Sequence, residues 1–153
     1  MELLYCICYY AVMGIAFFFA GRLISRKKFN YDAFPFKTAG FERGGLAYRK
    51  IGVHKWQNLL PDMSKVMTKL MPAKKLQGRP TREGLLTMIN ETCVAELVHV
   101  LLPLFGLAVL FIWPGAGGVT VWLIYFILGN LPYIIIQRYN RPRFIKLLNH
   151  CRE

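Results

Sequence analysis

The chain has 153 residues, 55% of them hydrophobic and 18% charged, and 20 Lys and Arg against 8 Asp and Glu give a formal net charge of +12. That length fits one domain, and the long apolar runs exclude an ordinary soluble one, because a chain in lipid must satisfy its backbone polar groups internally. The expected fold class is an all-α integral membrane protein: a single membrane domain over residues 1–153, about three transmembrane helices, and an amphipathic interfacial helical segment on the cytoplasmic side.

Residues 3–24 form the first apolar run. It opens Met1-Glu2, without a basic leader, and residues 19–21 make a poor cleavage site, so the run is expected to remain as a membrane helix. Gly14 and Gly21 offer places for close helix approach. Arg22, Arg26, Lys27 and Lys28 then stop the segment at a membrane surface. Fifteen Lys and Arg lie between Arg22 and Glu96, and the other five follow Gln137. By the positive-inside rule both regions are cytoplasmic, with the N-terminus outside and residues 25–92 as a cytoplasmic or interfacial stretch. This topology accounts for the basic residues without nucleic acid. Cys6, Cys8, Cys93 and Cys151 form no CxxC pair and are expected to be thiols in a reducing setting, with Cys6 and Cys8 on different sides of their helix.

Residues 30–45 carry Pro35, glycines and scattered aromatics without a sustained period, which predicts irregular structure. From Trp56 the apolar residues Leu59, Leu60, Met63, Val66, Met67, Leu70 and Met71 recur at helical spacing. Lys55, Lys65 and Lys69 fall on the opposite side, the pattern of a helix lying on a membrane surface, interrupted at Pro61 so that Asp62 can cap its second half. This segment reads either as plain attachment or as a lid over an amphiphilic substrate. Lys74, Lys75, Arg79 and Arg82 form a basic run that acts as a topology signal.

Thr81 can cap a helix that begins near Arg82 and continues into the second span, residues 93–113, with Pro103 expected to kink it. This helix carries Glu91, Thr92, Glu96 and His99. Thr92, Glu96 and His99 share one face, with Glu91 beside it, and ionisable groups at membrane depth are functional candidates by default. The glycine-rich turn at residues 114–118 predicts a hairpin into the third span, residues 119–136, antiparallel to the second. Folding the chain back about Ala116 brings Glu91 level with Arg141, Glu96 level with Gln137 and Arg138, and His99 level with residues 130–133. An ion-pair belt explains the acids and the arginines. A polar cavity open to the cytoplasm also explains His99 and Asn130, which form no ion pair.

At these motifs the sequence resembles a known family. Glu91-Thr92-x-x-Ala95-Glu96-Leu97-x-His99, then Gly129-Asn130-Leu131-Pro132 and Gln137-Arg138-Tyr139-Asn140-Arg141-Pro142-Arg143, resemble the glycosyl-4,4'-diaponeurosporenoate acyltransferases, and Lys55-Trp56 with Leu60-Pro61-Asp62 extends the likeness. The family comprises small bacterial membrane enzymes that attach a fatty acyl chain to the sugar of a carotenoid glycoside. Val100 and Gln57 depart from its pattern, where an aromatic and a lysine are common.

The resemblance implies an O-acyltransferase in the bacterial cell membrane. Its donor would be an acyl thioester on coenzyme A or an acyl-carrier protein, its acceptor a glycolipid or glycosylated carotenoid-like molecule, with no further cofactor. A homo-oligomer is compatible with it. Such transfer needs a base for the hydroxyl proton and stabilisation of an oxyanion, whereas a thiolate of pKa about 8.5 leaves with little acid help. His99 is the expected base, Glu96 one turn earlier holds its ring, and Glu91 completes the candidate catalytic set. Asn130 or an arginine can donate to the oxyanion, and the arginines suit phosphate groups. The candidate substrate-binding residues are Lys55, Trp56, Thr92, Asn130, Arg138, Tyr139, Asn140, Arg141 and Arg143. Cys93 as a nucleophile is disfavoured by the helical position of His99. Glu96-x-x-His99 also has the spacing of dimetal helical bundles, but only one such pair is present and no metal is expected; HExxH is absent. A membrane lipid methyltransferase and a non-enzymatic lipid-binding or assembly protein are the alternatives from other classes.

Overall fold

The computed structural model describes residues 1–26, 29–60 and 81–151. All regular structure among the described residues is helical. Helix α1 (Glu2–Leu23) is followed by a short 3-10 segment (Gly40–Gly45), α2 (Leu46–Lys50) and α3 (Val53–Trp56). Then come α4 (Arg82–Gly106), α5 (Val109–Ile112), α6 (Ala116–Gly129) and α7 (Leu131–His150). Three stretches are long and apolar enough to cross a membrane: Glu2–Leu23, Arg82–Ile112 and Ala116–His150. Their number is the one expected. Of the expected surface helix, the described residues contain Val53–Trp56 and a turn after it. The remainder of its apolar stripe, Pro61 and Asp62, and the run from Lys74 to Arg79 lie outside the described residues.

The chain divides into two compact units. The first comprises residues 1–29 and 93–137, the second residues 30–92 and 138–153.

In the first unit, α1 presents Gly21 to α4, where an added Cβ would lie 3.1 Å from Val98 Cγ2. Gly14 has open space instead, so of the two glycines expected to mediate close approach only Gly21 does. Cys6 is buried and Cys8 exposed, as their spacing required.

Pro103, where a kink was expected, lies inside α4, and the helix ends three residues later, at Gly106. There the Leu107 N–H turns to Leu104 O and the Leu110 N–H to Leu107 O, which diverts the donors that would continue the α-helical ladder. Side chains replace them. Trp122 Nε1 donates to Pro103 O at 2.8 Å, Tyr9 OH to Phe105 O at 2.9 Å and Tyr10 OH to Gly106 O at 3.3 Å. A broken helix is tolerated at membrane depth on that condition. The turn after α5 needs its glycines: Gly115 has φ +89°, and a Cβ on Gly118 would stand 2.1 Å from Trp113 O.

The third span is two helices rather than one. Asn130 sits between α6 and α7 with φ −127° and ψ −46°, and Pro132 falls in the first turn of α7, where a missing N–H costs no hydrogen bond. Asn130 N to Phe126 O, 3.2 Å, and Ile134 N to Asn130 O, 3.1 Å, carry backbone bonding across the junction.

In the second unit the core is Leu85, Ile89 and Leu148, with Tyr31, Leu86, Phe144, Ile145 and Cys151 packed on it. Thr81 caps α4 as expected: its Oγ1 accepts the Gly84 N–H at 3.1 Å. Residues 30–45, expected to be irregular, are turns followed by the 3-10 segment.

Candidate active site

In the first unit the polar residues gather where α4 meets the α6–α7 junction. His99 Nδ1 lies 3.0 Å from Asn130 Oδ1, and the His99 ring stacks on Tyr133 with centroids 4.6 Å apart and planes 6° from parallel. Asn130 Nδ2 donates to Tyr125 O at 3.0 Å. Asn130 is 1% exposed and Glu96, one turn before His99 on the same helix, is 5% exposed. The hairpin register therefore places His99 opposite residues 130–133 as expected. Tyr133 had no role assigned to it from sequence; its place in a turn starting Gly129-Asn130-Leu131-Pro132 was the available signal. A stacked phenol and an amide hydrogen bond together fix the plane of an imidazole, the requirement for directed proton transfer.

The second unit holds the arginine motif, and most of it is committed to structure. Arg141 is 1% exposed and donates three hydrogen bonds: Nε to Thr92 Oγ1 at 2.9 Å, one terminal nitrogen to Thr92 O at 3.1 Å and the other to Phe36 O at 2.7 Å. Its guanidinium also lies over the Phe36 ring, 5.4 Å from the centroid. Thr92 Oγ1 itself donates to Ile89 O at 2.6 Å. Arg141 thus meets Thr92, one residue beyond its expected level at Glu91. The offset follows from Thr92 offering two acceptors, a hydroxyl and a carbonyl, to one planar fork.

Arg138 forms a salt bridge with Glu42 and reaches Pro35 O at 3.2 Å and Lys37 O at 3.4 Å. Glu42 is fully buried; its carboxylate also accepts the Tyr48 hydroxyl and the Ala39 N–H, the latter at 2.7 Å. Burial pushes the Glu42 carboxyl up, but the hydrogen bonds from Arg138, Tyr48 and Ala39 together hold it below the ordinary 4.5. Burial and the hydrogen bond to Glu42 push the Tyr48 phenol up to about 12. Gly45 lets this segment close on α7: its φ is +92°, and a Cβ there would lie 3.1 Å from Tyr139 O. Glu42 and Tyr48 went unrecognised in the sequence because their partner is 96 residues away for Glu42 and the pairing has no helical or hairpin period. The signal that existed was one acid in a basic stretch, followed by Gly44-Gly45.

The other predicted residues are less constrained. Arg143 is exposed, lies over the Tyr139 ring at 4.9 Å and donates to Asn140 Oδ1 at 3.3 Å; Asn140 Nδ2 reaches Gln57 Oε1 at 3.4 Å. Tyr139 is buried, Lys55 is exposed, and Trp56 Nε1 folds back to Ile51 O at 3.3 Å. Glu91 is half-buried and Cys93 fully buried. Among the described residues no three His, Cys, Asp or Glu side chains stand together to hold a metal ion.

Comparison with known proteins covers residues of both units. The family model for glycosyl-4,4'-diaponeurosporenoate acyltransferase matches residues 30–150. Two proteins of that name, from Staphylococcus aureus strains N315 and USA300, are each 31% identical over 146 residues, covering 94% of this chain and 86% of theirs. No solved structure matches the chain. The matched span contains the His99–Asn130 pair, the Glu42–Arg138–Tyr48 cluster and the Arg141–Thr92 contact, and the chain belongs to the glycosyl-4,4'-diaponeurosporenoate acyltransferase family and is an acyltransferase.

Proposed function

We propose that the protein moves a fatty acyl group from an acyl thioester, carried by coenzyme A or an acyl-carrier protein, to a sugar hydroxyl of a glycosylated carotenoid-like acceptor. The relatives' name supplies the acceptor class. The observation that supports the chemistry is the oriented ring of His99, held edge-on by Asn130 and face-on by Tyr133. His99 takes the proton of the sugar hydroxyl as its oxygen attacks the thioester carbonyl. The tetrahedral intermediate collapses with cleavage of the C–S bond, and the departing thiolate takes the proton back from the imidazolium, leaving ester, thiol and neutral histidine. Glu96, buried one turn away on the same helix, favours the imidazolium while it exists. Of the arginines in the C-terminal motif, Arg143 has the exposed guanidinium suited to a phosphate group of the donor.

The protein acts in the cell membrane with its N-terminus outside and residues 25–92 and its C-terminus in the cytoplasm, by the asymmetry of Lys and Arg. Lipid extracts of cells with and without the gene, given a glycosylated carotenoid, test the reaction: a product heavier by one acyl chain supports it, a gain of one methyl supports a methyltransferase, and no change refutes transfer. Reporter fusions at Leu60 and Cys151 that read as external refute the topology.

A further inference from the structure

The carbonyl of Tyr125 can only accept a hydrogen bond. The side-chain atom of Asn130 facing it at 3.0 Å is therefore the amide nitrogen, and this orientation turns the amide oxygen toward His99. An amide oxygen can only accept, so His99 Nδ1, 3.0 Å away, carries a proton. In the neutral ring the lone pair is then on Nε2. A backbone acceptor that no substitution can change thus selects, through one buried amide, the tautomer of a histidine on another helix.

We infer that Asn130 is a positioning residue for the acyl transfer, setting His99 as its Nδ1–H tautomer so that Nε2 is the atom that takes and returns the proton. The inference rests on the reading of His99 as the base, and it replaces the oxyanion contact expected of Asn130 from sequence with a different role. The helix junction explains why the residue can act at this distance. Asn130 has φ −127°, outside the helical range, and precedes the first turn of α7, so its side chain leaves the chain where neither α6 nor α7 continues. Its 1% exposure removes water as a competing partner for either end of the amide. Through the reaction the Nδ1 proton stays in place. The sugar hydroxyl proton moves to Nε2, the imidazolium donates from Nδ1 to Asn130 and from Nε2 to the departing sulfur, and the ring returns to its starting tautomer.

The test is the ring-nitrogen spectrum of His99 in purified, 15N-histidine-labelled protein, with the resonances assigned by their absence from H99Q, together with steady-state kinetics using an acyl thioester and a glycolipid acceptor. The wild-type ring is expected as the Nδ1–H form. In N130L, which keeps the volume and removes both polar atoms, the ring should move to the Nε2–H form and kcat should fall about 10- to 100-fold with KM little changed, the effect of losing one buried hydrogen bond from the reacting group. N130D offers the same acceptor to Nδ1 and should retain the Nδ1–H form and recover part of the lost kcat. An Nε2–H ring in the wild type overturns the inference whether or not either variant folds. So does N130L with unchanged kcat. If H99Q turns over normally, it is the base assignment that fails, even where the Nδ1–H tautomer is observed.

Discussion

Both units bury polar side chains, and they treat them in opposite ways. In the second unit, Arg141 gives three hydrogen bonds and the Glu42 carboxylate accepts from Arg138, Tyr48 and the Ala39 N–H. These are charged groups with their geometry closed around them, and a charge held this way is expensive to move or unpair. In the first unit, the His99 ring is set by a hydrogen bond with Asn130 and by its stack on Tyr133, and an imidazole so held can take and return a proton. The difference teaches that charge density is a poor guide to chemistry in this chain: the arginine motif, richest in charge, chiefly locks residues 35–48 and Thr92 to α7, whereas the sparsely polar span holds the candidate base.

If the contrast is right, substitutions should separate activity from stability. The largest effect is expected from H99Q, which should lower turnover by roughly 10²- to 10⁴-fold while thermal unfolding in detergent stays near wild type; a folded variant with normal turnover would return His99 to the structural class. R141M should behave in reverse. It strands the buried Thr92 and Phe36 carbonyl acceptors and should cost about 3 kcal/mol of stability, read by denaturant or thermal unfolding. E42Q should cost less, about 2 kcal/mol, by weakening the acceptor for Arg138 and Tyr48.

The same carboxylate gives a pH dependence of fixed sign. Because the folded Glu42 carboxyl is held below the ordinary 4.5, its contribution to stability is complete above that value and disappears as pH falls through the lower folded value. E42Q should flatten this acid limb of a stability–pH curve, and an unchanged limb would refute the network. The smallest effect is expected from C93A, with activity within about twofold of wild type, because the proposed transfer uses no thiol nucleophile. A large loss of turnover in folded C93A would move the chemistry off His99.

Sequence reasoning reached the features that follow from local rules. Three apolar runs, a Thr81 cap and a glycine-rich turn each rest on spacing within one element, and the turn at residues 114–118 then fixed a hairpin that set His99 against Asn130 and Tyr133. It failed where the partner lay far away in the chain. Arg138 with Glu42 and Arg141 with Phe36 join residues about a hundred positions apart, and no period in the sequence connects them. The interruption at Asn130 was missed because residues 119–136 are mostly apolar and hydropathy averages over a single junction. The proline two residues later marked it. Gly14 was overread for the opposite reason, since small size permits a close approach without requiring one.

The end of α4 has a consequence for how the molecule is assembled. Its last carbonyls are satisfied by Tyr9 and Tyr10 of α1 and Trp122 of α6, so the shape of α4 and the docking of its neighbours are one equilibrium. Without α6 the same segment has no indole for Pro103 O, so the interruption after Gly106 and the docking of the third span favour each other.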